Sequence, residues 1–247
     1  MDGTAEPITP HAPRPVRRPL LVQRWRHVTF LHWPVPPEAV RPHLPAGVEP
    51  DTLDGRTYVG LVAFQMWHVG LGNGPGIPYL GTFPETNVRV YSVDGEGRRG
   101  VVFLSLDAGR LLPVLAGRAA LGLRYRWSTM RLRRHGGRVR YTCRRRGSPT
   151  GSCIEVTPGP PWAAPSPLDH FLTARWGLHT RWHGRTLYLP NEHPQWTLQR
   201  AGLESLDDAL VAAAGLPRPA GDPVSVLYSP GVPVRFGPPS PVTGRPG

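Results

Sequence analysis

An α+β domain on a curved, mostly antiparallel sheet with flanking helices is the fold class this sequence predicts, on three observations. Short β-branched and aromatic runs recur with tight turn signals between them, the mark of strands joined by hairpins. Only three or four stretches carry a helical pattern, and they do not alternate with strands as a βαβ repeat would require. The first strand-like run, WRHVTFLHWPV, is apolar on both faces, as a strand covered from two sides must be.

The elements follow in order. Residues 1–20 hold five prolines and three arginines without a hydrophobic period, and are expected to be a disordered arm. The domain is expected over 21–240, followed by a flexible tail over 241–247. Trp25–Val35 reads as a strand, and Pro36-Pro37 start a short helix through Glu38 and Val40 towards Leu44. After the Asp54-Gly55 turn, Thr57–Val69 is a long strand in which Gly60 signals a bulge or a close backbone approach. Residues 70–82, with five glycines and two prolines, form a loop long enough to cover a pocket.

Phe83–Val93 and Val101–Asp107 make a hairpin through Asp94–Gly100, and Arg110–Leu121 a helix with Pro113 in its first turn. A second hairpin is expected over Leu123–Arg146 around His135-Gly136-Gly137, with a strand at Cys153–Thr157 after it. Ser166-Pro167 caps a helix running to about Gly177, and His179–Leu189 is a hairpin through His183-Gly184. Leu206–Ala214 reads as a helix with Ser205 as N-cap and Asp207 and Asp208 in its positive first turn. Val224–Tyr228 and Val232–Phe236 close the sheet as two strands.

Composition excludes several functions. The 247 residues carry a formal charge of +12, and all 29 basic residues are arginine. Without a lysine amine, Schiff-base catalysis has no nucleophile. The arginine excess suits phosphate or anionic lipid. Yet complete replacement of lysine, beside 29 glycines and 32 prolines, fits a coding bias better than a ligand. No apolar run approaches the ~18 residues of a membrane helix, and no signal-peptide core is present. Cys143 and Cys153 read as free thiols, with a single bridge between them as the alternative, and the chain is expected to be cytoplasmic, with no membrane partner.

Chemistry concentrates on one strand. By the period of two, Glu85, Asn87, Arg89 and Tyr91 share a face of Phe83–Val93, an acid, an amide, a cation and a phenol in a row. If that face lines a cavity, Arg89 can hold a carboxylate or enolate, and Glu85 can move a proton. Asp107 would lie near through the hairpin. The alternative is a solvated face with Val88 and Val90 turned to the core. His32 sits in an otherwise apolar segment and needs a partner, whether as ligand or as a core histidine. His179 and His183 lack a helix to bring them together, so no metal and no cofactor is expected. The hairpin 124–146 carries ten arginines and is the rival site, for nucleic acid, although a solvated edge that blocks aggregation explains it as well.

The strings FLHWPV, TYVGLVAFQM, FPETNVRVY, VVFLSLDA, RAALGLRY, FLTARWGL, NEHPQW and SPGVPVRFGPP resemble, in this order, the YqjF-like family of bacterial proteins, related to the acetoacetate decarboxylase superfamily. The resemblance spans about residues 21–240. It implies a cone-like, mostly antiparallel β-barrel with outer helices and an inner pocket, and Glu85 would match the decarboxylases' pocket glutamate. The Schiff-base lysine is missing: the matching stretch, roughly Asp107–Tyr125, offers Arg110, Arg118 and Arg124, and arginine stays protonated.

The expectation is therefore a small-molecule enzyme using non-covalent acid/base chemistry on an oxo-acid or polyketide-like metabolite. Glu85, Arg89 and Asp107 would be catalytic. His32, Trp33, Met66, Asn87, Tyr91, Arg118 and Tyr125 would bind the substrate. A non-catalytic small-molecule binder is the runner-up, nucleic acid is not the expected partner, and homo-oligomerisation is left open.

Overall fold

The computed structural model describes residues 5–243. Thirteen strands form one sheet: β1 (Leu21–Val35), β2 (Val48–Pro50), β3 (Thr57–Leu71), β4 (Phe83–Asp94), β5 (Arg99–Ala108), β6 (Tyr125–His135), β7 (Arg138–Arg145), β8 (Gly151–Pro161), β9 (Gly177–Trp182), β10 (Arg185–Glu192), β11 (Gln199–Asp208), β12 (Ser225–Phe236) and β13 (Ser240–Pro241). Four short helices flank it: α1 (Pro37–Val40), α2 (Leu111–Leu121), α3 (Pro167–Thr173) and α4 (Leu210–Ala213). The pairings are antiparallel except for β5 with β6 and β5 with β9. No helix among the described residues is long and apolar enough to cross a membrane.

The pairing order closes on itself twice. One ring runs β5-β6-β7-β8-β11-β12-β1-β3-β4 and returns to β5; the other runs β5-β9-β10-β12-β1-β3-β4. They share the layer β12-β1-β3-β4-β5, which is covered on both sides. This explains the double-sided apolarity of β1 and β3. On one side Leu31, Trp33, Leu61, Val88 and Val90 pack against Tyr141, Ile154 and Val156. On the other, Phe30, Val62, Phe64 and Met66 pack against Trp196 and Leu198, with Tyr91 and Tyr58 against Phe171 and Leu172.

Several expectations need correcting. Leu206–Asp208 is strand, because these residues pair with Ile154, Cys153 and Ser152 of β8. Tertiary pairing there overrides local helix signals, and the helix shrinks to Leu210–Ala213. Its N-cap is Ala209 rather than Ser205, and the carboxylate of Asp208 just before it accepts from the Leu210 and Val211 amides. The helix after Ser166 ends at Thr173, although its capping box with Asp169 forms as the sequence indicates. The two closing strands are one continuous strand, β12.

Of the segment 1–20 expected as a disordered arm, residues 1–4 lie outside the described residues; residues 5–20 have no helix or strand, yet Thr9 and Val16 lie against the body. Val16 is buried, its amide donates to Glu192, and Trp176 donates to the Thr9 carbonyl. Of the tail expected over 241–247, Pro241 pairs with Leu187 of β10, next to the pairing of Ser240 with Tyr188, and 244–247 lie outside the described residues.

Candidate active site

β4 carries the site because its alternation survives a bulge. Its register with β5 shifts between Val88 and Arg89, where β5 holds the extra residue Leu104. Glu85, Asn87, Arg89 and Tyr91 therefore all face the ring closed by β9 and β10, and all are buried. β1 delivers His32 to the same side: His32 pairs with Gly60, and Gly60 pairs with Arg89. A methyl group on Gly60 would stand 3.1 Å from His32 Cδ2 and 3.3 Å from Arg89 Cγ, so the missing side chain lets these two groups meet across β3.

Glu85 is 2% exposed. Burial pushes its carboxyl up to about 7, while hydrogen bonds from Tyr125 and Asn87 pull against that rise. Tyr125 Oη donates to Glu85 Oε2 over 3.1 Å. Burial and the adjacent Glu85 hold the Tyr125 phenol well above its ordinary value, so it remains a donor. The Tyr125 ring occupies space left by Gly117 in the middle of α2, where a Cβ would come within 2.6 Å of it. That glycine, unfavourable in a helix interior, thus has a packing reason.

Further along the strand, Arg89 Nη2 and Tyr91 Oη both donate to the Leu172 carbonyl at the end of α3, each over 2.8 Å. Tyr91 Oη also lies 2.7 Å from His32 Nε2. Burial, reinforced by Arg89 and Arg175, presses the His32 imidazole well below its usual value and keeps it neutral. Met66 lies on the same side, opposite Phe83 and Trp25.

Three predicted site residues lie elsewhere. Asp107 pairs with Thr86, so it faces the other side of the sheet from Glu85. It is fully buried there, clasped by Arg145 through Nε and Nη2 at 2.9 and 3.0 Å and by Ser128 Oγ at 2.7 Å. Trp33 is likewise on the far side, donating to the Gly221 carbonyl. Arg118 is engaged with the Tyr125 carbonyl at the protein surface.

The sequence reading missed an aromatic wall beside Arg89. Trp25 stacks on Trp196 at 5.9 Å, and His193 packs between Trp176 and Trp196 at 4.5 and 4.8 Å. Burial, aided by the charge of Arg89, lowers His193 to about 4. The only sequence signal was the NEHPQW string itself, with a histidine and a tryptophan in a polar, proline-broken stretch.

Residues 22–233 match the family DUF2071, described as an uncharacterized conserved protein. This chain belongs to that family. The uncharacterized protein YqjF of Bacillus subtilis (strain 168) is 30% identical over 208 residues, covering 83% of this chain and 86% of YqjF. Among solved structures, the DUF2071 chain is similar to an acetoacetate decarboxylase-like enzyme from Sphingomonas wittichii RW1, with a TM-score of 0.65 at 15% identity over 98% of this chain and 100% of that one. It is similar to acetoacetate decarboxylase from Legionella pneumophila, with 0.63 at 14% identity over 94% and 92%. It is also similar to the enduracididine biosynthesis enzyme MppR complexed with pyruvate, with 0.61 at 16% identity over 91% of each chain. The fold is thus acetoacetate decarboxylase-like.

The three arginines that the resemblance would set where decarboxylases carry a lysine have other contacts in this DUF2071 chain. Arg110 stacks on Tyr79 and donates to its hydroxyl, Arg118 holds the Tyr125 carbonyl, and Arg124 lines a surface cleft with His179 and Arg181.

Proposed function

We propose that this protein is an enzyme that moves a proton on a small oxo-acid by non-covalent acid/base chemistry, with Glu85 as the proton-transfer group and Arg89 as the holder of the carboxylate or enolate. The observation that carries this reading is the Glu85 carboxyl, buried and shifted to about 7, on one face with the Arg89 guanidinium four residues along the strand. A base poised near the working pH combines a populated carboxylate with useful proton affinity. The positive charge of Arg89 stabilises an enolate best where water is excluded. The absence of lysine leaves enolate formation without an imine. Similarity to MppR, whose structures hold pyruvate and a condensation product of pyruvate with imidazole 4-carboxaldehyde, makes 2-oxo acids the first substrates to try.

In the proposed step, the Glu85 carboxylate removes a proton from the carbon next to the ketone. The C–H electron pair becomes the enolate π bond, and Arg89 faces the oxygen charge. Reprotonation or attack on an electrophile completes the reaction. The test is proton NMR of pyruvate in D2O with the protein. The methyl signal should vanish by exchange, and Glu85→Gln should slow this at least 100-fold. Equal rates in the variant and the parent would remove Glu85 from the mechanism.

A further inference from the structure

The hydrogen-bond directions around His32 fix what this buried face of β1 and β4 asks of a ligand. Tyr91 has one phenolic proton. Its oxygen lies 2.8 Å from the Leu172 carbonyl, which can only accept, so the proton lies on that line. The 2.7 Å contact to His32 Nε2 is then a donation from the imidazole to Tyr91. Neutral His32 therefore carries its hydrogen on Nε2, and Nδ1 is a bare acceptor. Nδ1 is buried and has no hydrogen-bond partner among the described residues.

Two neighbours are in a similar condition. Asn87 Oδ1 is buried without a partner, and Arg89 Nε is a buried donor without a partner among the described residues. Ser225, directly opposite His32 on β12, has an unpartnered Oγ as well. Buried polar atoms are ordinarily paired, because leaving one unpaired is unfavourable by roughly 1–3 kcal/mol. Here four lie at one face, on β12, β1 and β4 with Gly60 of β3 between the last two, and they comprise two acceptors, one cationic donor and one hydroxyl.

We propose that the ligand met by this buried polar face is a hydroxylated oxo-acid, its carboxylate taken by Arg89 and its hydroxyl donating to His32 Nδ1 or Asn87 Oδ1. This rests on the acid/base reading of the same site and narrows it. A plain oxo-acid such as pyruvate supplies acceptors only, and leaves both protein acceptors unmet. A hydroxyl supplies the missing donor, and Ser225 can turn its own hydroxyl to either role.

The experiment measures binding by calorimetry for matched pairs: pyruvate against hydroxypyruvate, and 2-oxobutanoate against 4-hydroxy-2-oxobutanoate. The hydroxylated member should bind about tenfold more tightly, and His32→Gln or Asn87→Val should shrink that preference while retaining the plain acid. Equal affinity within each pair overturns the inference and leaves the acid/base reading standing. Binding of neither member of either pair defeats both. A preference unchanged in both variants also overturns it. Long-range proton–nitrogen NMR of the unmodified protein gives an independent measurement: His32 must show a non-protonated Nδ1, and an Nδ1–H tautomer contradicts the proposal.

Discussion

Tyr125 donates to Glu85 across 3.1 Å, from the first residue of β6 to the third residue of β4, and the two strands are brought together by β5 between them. The phenol is held protonated and the carboxyl is held near neutrality, so this bond strengthens when Glu85 ionises.

Removing that donor has a defined direction. Tyr125→Phe keeps the ring and its fit against Gly117 but deletes a bond that favours the carboxylate, so Glu85 must titrate above about 7. The pH–rate profile of oxo-acid exchange should shift to higher pH, with a loss of about tenfold at pH 7. A profile that stays in place or moves down contradicts the assignment.

The same burial makes stability depend on pH. Glu85 titrates at about 7 in the fold against an ordinary 4.5, so the folded state prefers the protonated form. Its contribution is fully present below about 4.5 and is lost as pH rises through 7, reaching about 3 kcal/mol of destabilisation at pH 8. Glu85→Gln has no charge to bury. Its stability relative to the parent should rise between pH 5 and pH 8, as read from urea unfolding at each pH. A difference that is flat across this range contradicts a raised Glu85.

Asp107 belongs to a different part of the molecule. Its carboxylate is sealed between Arg145 and Ser128, and Asp107→Ala leaves a largely buried guanidinium alone, at about 3 kcal/mol of unfolding free energy. Folded molecules of this variant should lose far less exchange activity than Glu85→Gln. An activity loss matching Glu85→Gln with unchanged stability would put Asp107 back among the catalytic groups.

The legible part of the site came from period-two alternation. It placed Glu85, Asn87, Arg89 and Tyr91 on one face of β4, and it survived because the bulge fell on the neighbouring strand. Asp107 was misplaced because a shift of one residue in pairing turns a side chain to the opposite face, and no local signal sets that register. Trp33 failed for the same reason: it follows His32 by one position in a strand apolar on both sides, where hydrophobicity does not say which side is which. His193 and Trp196 were invisible as a site because they reach Arg89 only through ring closure.

The sequence by itself determined the absence of an amine nucleophile, the abundance of hairpins, and the side-chain order along each strand, since these depend on residue identity and on backbone period alone. Tertiary structure decided which of two faces of the shared layer each residue meets, that Leu206–Asp208 is strand, and that Glu85 titrates near neutrality. Each of these depends on neighbours far along the chain, whose packing removes water from a group or supplies the strand that pairs with it.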